Sequence, residues 1–219
     1  MNIRAICFDM DGTLYPYYWM YITSIRLFLS YPSFSYHFSC VRREIRTMRG
    51  IKDFRKKQAE LLAQKMNISG SRAYTLIEER IYREWIDSFH IIRPFPHLKQ
   101  VLKQIKQYRI TLALLSDYPV ERKLAYLGLE HLWDLKFSSE EVHSLKPNPE
   151  CFLELIRLLD ISPEKILYVG DTYDYDIIGA KQVGMKTAHL SKRQKKGSIS
   201  DFTFSHYKDF SSIIMEKII

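Results

Sequence analysis

Short unbroken apolar runs alternate along this chain with longer stretches in which apolar residues recur every three or four positions. Ile3 to Phe8 is the first run, and it ends at Asp9 with Gly12 close behind. A run this short, with no polar face, predicts a strand buried on both sides that opens into a loop. Similar runs lie at 110–115, 135–138, 166–169, 186–190 and 202–204. Between them the period lengthens. Leu98, Val101, Leu102 and Ile105 share one face of a helix over 98–108. Further helices are expected at 119–127, stopped by Gly128, at 149–159, at 177–183, stopped by Gly184, and at 210–218. Strands alternating with helices of about ten residues predict parallel pairing through right-handed crossovers.

The stretch 18–90 breaks this rhythm. Helix formers fill 38–66, with Gly50 as a candidate break, and 67–71 reads as a turn carrying a cap. Ile77, Ile81, Trp85 and Ile86 resume helical spacing over 73–89. The economical architecture is therefore α/β: a doubly wound parallel sheet with an all-helical insertion after the first strand. In such a sheet, ligands bind outside the carboxyl ends of the strands. Three expected strands end at Asp9, Ser116 and Asp171, and a fourth feeds the loop that carries Lys146. Four separate stretches thus converge on one edge.

Composition narrows the partners more than the fold. The 219 residues suffice for one core with an insertion, and 46% apolar residues is ordinary for a globular chain. A formal net charge of +8 attracts anions, whether phosphorylated metabolites, nucleic acid or acidic membrane. The dense run 192–196 reads as a solvated loop before Gly197. Cys7, Cys40 and Cys151 show no metal-ligand spacing; Cys7 and Cys151 sit in apolar runs as small core residues, which suits a reducing compartment. No charged segment followed by an apolar leader opens the chain, and a cytoplasmic location is expected. The aromatic-rich stretch 14–36 is nearly long enough to span a bilayer, but Pro16, Arg26, Pro32 and many hydroxyls interrupt it, so no membrane span is expected.

The polar residues at the strand ends carry the chemistry. In Asp9-Met10-Asp11-Gly12-Thr13, two carboxylates two residues apart can take different roles. Asp9 can attack phosphorus, bind metal, or do both through different oxygens; Asp11 can deliver a proton and later activate water. Alone, the pattern is equally a turn built from Asp and Gly. Asp171, in Gly170-Asp171-Thr172-Tyr173-Asp174-Tyr175-Asp176, is expected beside Asp9. Two such carboxylates repel unless a hard divalent ion joins them, and magnesium takes few protein oxygens plus water and phosphate. Asp176 opens the next helix, as its cap or as support for the metal. Lys146 offers an ammonium and Ser116 a hydroxyl to phosphoryl oxygens, although each alone is unremarkable.

As an ordered set these motifs resemble the haloacid dehalogenase-like hydrolase superfamily. The likeness covers 1–15 and 93 to about 190, including Leu127-Gly128-Leu129 and Ile178-Gly179-Ala180-Lys181 ahead of Gly184-Met185. It implies a Rossmann-like core at 1–15 and 93–219 and a mobile helical cap at 16–92. It also implies a magnesium-dependent phosphatase that passes through an aspartyl-phosphate. Asp9 would be the nucleophile, Asp11 the general acid/base, and Ser116 and Lys146 the phosphoryl-binding pair. Asp9, Asp171 and the backbone carbonyl of Asp11 would hold magnesium, with Asp176 in support. Dehalogenases of this kind need no magnesium and usually lack the second Asp of the first motif, so Asp11 favours phosphate chemistry. A phosphomutase with the same set remains open, as does, in a different class, a basic nucleic-acid or protein binding module with a vestigial site. Nucleic acid is not expected, because three carboxylates at the sheet edge repel phosphate without metal. Asp117 and Tyr118 follow Ser116 where relatives often have Asn directly after Ser, and Tyr175 stands where many have Asn; both are expected to alter hydrogen bonding near the metal. Tyr15, Tyr17 and Tyr18 either line the pocket for a small phosphorylated substrate or pack cap on core. Arg42, Arg43, Arg46 and Arg49 are specificity contacts or solvated cations, and the aromatic-rich cap is a candidate homodimer surface.

Overall fold

The structure, a computed structural model, describes residues 2–193 and 195–218. Six parallel strands form one sheet: β1 (Ala5–Phe8), β2 (Thr111–Ser116), β3 (Leu135–Ser138), β4 (Ile166–Gly170), β5 (Lys186–Leu190) and β6 (Phe202–Phe204). Their spatial order is β3-β2-β1-β4-β5-β6. Every side chain of β1 and β4 is buried, as expected of central strands covered on both faces. Alternation still divides them: Ile6 and Phe8 enter one core, Ala5 and Cys7 the other. Cys151 joins Cys7 in that second core, and both are free thiols.

The chain runs outward from β1 through β2 to β3, then crosses back to lay β4 on the other side of β1. That reversal opens a crevice at the carboxyl ends of the central strands. Register places Phe8 level with Leu114 and Val169, so Asp9, Ser116 and Asp171 leave the sheet close together. The helices α5 (Leu98–Gln107), α6 (Glu121–Leu127), α7 (Pro149–Leu159), α8 (Ile178–Gln182) and α9 (Tyr207–Ile213) connect or close the sheet. They follow α1 (Tyr18–Ser30), α2 (Pro32–Arg46), α3 (Phe54–Met66) and α4 (Gly70–Ile77), which lie between β1 and β2.

Two boundaries differ from the sequence expectation for identifiable reasons. The helix expected at 177–183 is preceded by a wide π turn, Tyr173–Ile177, in which the Asp176 carboxylate accepts the Thr172 N–H at 3.0 Å. The closing helix begins at Tyr207 rather than residue 210, because Tyr207 is itself core: buried, against Phe204, with its hydroxyl donating to the Thr13 carbonyl at 2.7 Å. Of the basic run 192–196, Gln194 lies outside the described residues; Lys195 lies 3.6 Å from Asp174 and over the Tyr173 ring. Among the described residues, no helix is long and apolar enough to cross a membrane.

Candidate active site

Asp9 follows β1 directly and is buried. Its carboxylate accepts the Lys146 ammonium at 2.6 Å and the Thr13 hydroxyl at 3.0 Å. Lys146 also donates to Asp176 at 2.6 Å and to the Tyr168 hydroxyl at 3.3 Å. Asp171 lies across the crevice, and carboxylate oxygens of Asp9, Asp171 and Asp176 come within 4.8 Å of one another. Gly12 permits this approach. It has φ +94°, and a methyl group there would overlap the Asp171 carboxylate. Gly170 is similarly required, since a Cβ would strike Asp176.

One ammonium cannot balance three carboxylates. Burial pushes the Asp9 carboxyl well above its usual range; Lys146 opposes this, while Asp176, Asp171 and Asp11 add to it. Burial and the Asp176 charge push Asp171 up to about 7. Lys146 stays charged despite burial, because Asp176 and Asp9 face it. A buried, hard-oxygen, charge-deficient cluster of this kind fits a divalent cation.

Asp11 faces differently. Its Oδ1 accepts the Lys123 ammonium at 2.6 Å and the Tyr15 hydroxyl. Lys123 and Tyr15 are both fully buried. Ser116 is also buried at the end of β2, and its Oγ accepts the Tyr118 N–H at 3.2 Å, which leaves its own proton available. A cavity of about 120 Å³ lies over this edge, with Asp9, Asp11, Lys146 and Asp176 in its floor and Tyr17, Met20 and Arg46 above.

The two departures noted in the sequence meet at Arg46, the last residue of α2. Asp117 accepts its guanidinium at 2.7 Å, and the guanidinium lies 4.2 Å from the Tyr175 ring centre. An Asn at 117 would supply no charge for this pair. Asp117 also accepts the Ser139 hydroxyl at 2.8 Å and the Lys146 N–H at 3.2 Å. Burial opposes ionisation of Asp117, but Arg46, Lys146 and Arg42 together hold it down at about 2. Arg46 also donates to the Lys146 carbonyl.

The sequence profile of the haloacid dehalogenase-like hydrolases matches residues 3–184. The chain belongs to this family. Among these hydrolases, glyceraldehyde 3-phosphate phosphatase of Methanopyrus kandleri is 30% identical over 138 residues, 58% of this chain and 59% of that protein. The chain thus aligns with less than two thirds of the length of that relative. The pyrophosphatase PpaX of Oceanobacillus iheyensis is 26% identical over 224 residues, 98% of each chain. The solved structure of the hydrolase YfnB from Bacillus subtilis, bound to magnesium, superposes with a TM-score of 0.72 at 18% identity, covering 98% of this chain and 100% of that one; at that identity it shows the fold.

Within the hydrolase fold, Asp9, Lys146, Asp171 and Asp176 gather at one point and Asp11 lines the same cavity, whereas Ser116, buried at the end of β2, is not among the residues lining it. Asp176 lies inside the carboxylate cluster, and it accepts the N–H that begins its own turn as well. Of the three early tyrosines, Tyr17 lines the cavity, Tyr15 holds Asp11, and Tyr18 is exposed. Arg42 and Arg46 reach the sheet edge, whereas Arg43 is exposed and Arg49 makes only a half-exposed pair with Glu150 at 3.5 Å. Sequence reasoning missed Lys123. A lysine on the apolar side of α6 was the only signal, and nothing local says that its ammonium meets Asp11.

Proposed function

We propose that this hydrolase is a magnesium-dependent phosphomonoesterase acting on a small phosphorylated metabolite. The observation that carries this reading is the buried contact of Lys146 with both Asp9 and Asp176, inside a trio of carboxylates that one lysine leaves under-compensated. The phosphatase names of the relatives support the same reaction class. Asp9, Asp171 and the Asp11 carbonyl would hold magnesium, assisted by Asp176; the bound ion supplies positive charge that offsets the carboxylates and the phosphate.

Asp9 attacks phosphorus, and the bond to the leaving oxygen breaks as Asp11 delivers its proton there. Lys146 balances charge on Asp9 and on the phosphoryl oxygens, while Ser116 has a hydroxyl proton to donate. Thr13 fixes one Asp9 oxygen and so aims the other. In the second half, Asp11 takes a proton from water, which attacks phosphorus and releases phosphate from Asp9.

Hydrolysis of an aryl phosphate, followed with magnesium, with EDTA and with Asp9→Asn, tests this. Activity is expected with magnesium alone and is expected to fall by at least about a thousandfold in Asp9→Asn, since no covalent intermediate can form. Undiminished turnover by Asp9→Asn would overturn the nucleophile assignment.

A further inference from the structure

A second cavity, of about 450 Å³, opens between α1 and α2. It shares three side chains with the phosphoryl cavity, namely Tyr17, Met20 and Tyr118, so the two spaces adjoin. Its remaining wall is chiefly carbon, with Phe38, Ile81 and Trp85 buried, Leu27 half-buried, and Phe28 and Tyr36 at an exposed lip. Each of its three serines already makes one hydrogen bond. Ser24 accepts the Trp85 indole N–H at 3.1 Å, Ser35 donates to the Leu27 carbonyl at 3.3 Å, and Ser39 donates to the Tyr36 carbonyl at 2.8 Å. The two terminal nitrogens of Arg42 donate to Glu140, Gln58 and the Asp117 carbonyl, while its buried Nε has no hydrogen-bond partner. A ligand in this groove therefore meets a wall that is mainly apolar.

The groove also lies on the leaving-group side. Asp11 is the residue assigned to protonate the leaving oxygen, the Tyr15 hydroxyl donates to Asp11, and that hydroxyl is 3.5 Å from the Met20 sulfur. Met20 is a wall of both cavities. A leaving group held beside Asp11 would thus have the groove next to it.

We propose that the groove binds the leaving group, and that the substrate is the phosphate monoester of an apolar alcohol rather than of a sugar or nucleoside. This rests on the phosphatase reading and names its substrate class. Polyhydroxylated leaving groups would lose water against a mainly apolar wall, whereas each buried methylene strengthens binding by about fourfold.

The test uses two ladders on the full chain with magnesium: binding of methyl- to octylphosphonate by calorimetry, and hydrolysis of the matching alkyl phosphates. Affinity is expected to rise about fourfold per methylene until the groove is filled. Ser39→Trp, at an exposed groove position, is expected to reduce the octyl-to-methyl preference at least tenfold; a ratio does not depend on the fraction of folded protein. Phe28→Asp, 54% exposed in the native chain, serves if the first variant does not fold. A flat affinity ladder, with methyl phosphate still hydrolysed, overturns the groove and leaves the phosphatase reading intact. A steep ladder without hydrolysis supports the groove and overturns the phosphatase reading. A dimer in sedimentation that binds methyl- and octylphosphonate equally would assign the groove to a second copy and overturn the proposal. Preference for sugar phosphates over octyl phosphate would overturn it too.

Discussion

Both hydrogen bonds to Asp11 go to the same oxygen, from a fully buried lysine and a fully buried tyrosine, so neither holds Oδ2. An ammonium is costly to bury, and Lys123 offsets that cost chiefly by keeping Asp11 opposite it. Its aromatic surroundings help, with the Phe89 and Tyr118 ring centres 5.2 and 5.7 Å away. With Asp11 as the proposed general acid/base, Lys123 would be a positioning residue that acts through it, since Lys123 is not among the residues lining the cavity. Lys123→Met keeps the bulk and removes the anchor. With an alkyl phosphate, whose leaving oxygen needs a proton, kcat is expected to fall about 100-fold. With an aryl phosphate, whose leaving group departs readily, the loss is expected to be much smaller. Equal losses on both substrates would indicate a structural role alone.

At the scale of elements, α2 ties the helical insertion to the sheet edge. Arg42, buried midway along α2, donates to Glu140 at 2.5 Å, to the Asp117 carbonyl at 2.7 Å and to Gln58 of α3 at 3.2 Å. Glu140 also accepts the Tyr82 hydroxyl at 2.9 Å. Removing one partner of such a pair strands a buried charge. Arg42→Met is expected to cost about 3–5 kcal/mol, which lowers the melting temperature by about 6–20 °C for a chain of this size. The double variant Arg42→Met with Glu140→Leu is expected to recover much of that loss, because the stranded carboxylate goes with it. Thermal melts of the two single variants and the double variant measure the coupling. The opposite aspect of α1 behaves otherwise. Tyr18, Tyr21, Ile22, Ile25, Phe28 and Leu29 are all exposed, which spacing alone had not revealed, since an apolar stripe normally marks the inward face.

For the whole molecule, the carboxylate cluster is expected to couple stability to pH and, on the proposed function, to magnesium. Burial and Asp176 raise Asp171 to about 7, so the folded state binds that proton more tightly than the unfolded chain. Its contribution is full below the unfolded value near 4 and is lost as pH rises through about 7. Asp9 is shifted in the same direction by burial. In EDTA the melting temperature is therefore expected to fall between pH 5 and pH 8. Magnesium at about 100 times its dissociation constant adds about 2.7 kcal/mol, or about 5–11 °C. The gain is expected to be larger at pH 8, where the cluster is ionised, than at pH 5. Asp117 works the other way: held at about 2, it stabilises above the unfolded value and loses that contribution only as pH falls through about 2. Scanning calorimetry across this range, with and without magnesium, separates the two behaviours.

The sequence by itself determined the alternation of strands and helices, the helical interruption between the first two strands, and the four stretches that end at Asp9, Ser116, Lys146 and Asp171. Those features follow from local periodicity and from short motifs, which are written in neighbouring residues. Only the tertiary structure decided that Lys123, 112 residues from Asp11, is its partner, and that Arg46 reaches Asp117 across 71 residues. It also decided that Tyr15 turns inward while Tyr18 stays out, and that an apolar groove adjoins the cavity over Asp9. The physical reason is common to all of these. A buried charge or a cavity wall is completed by side chains from elements distant in sequence, so its partners are fixed by packing and not by spacing.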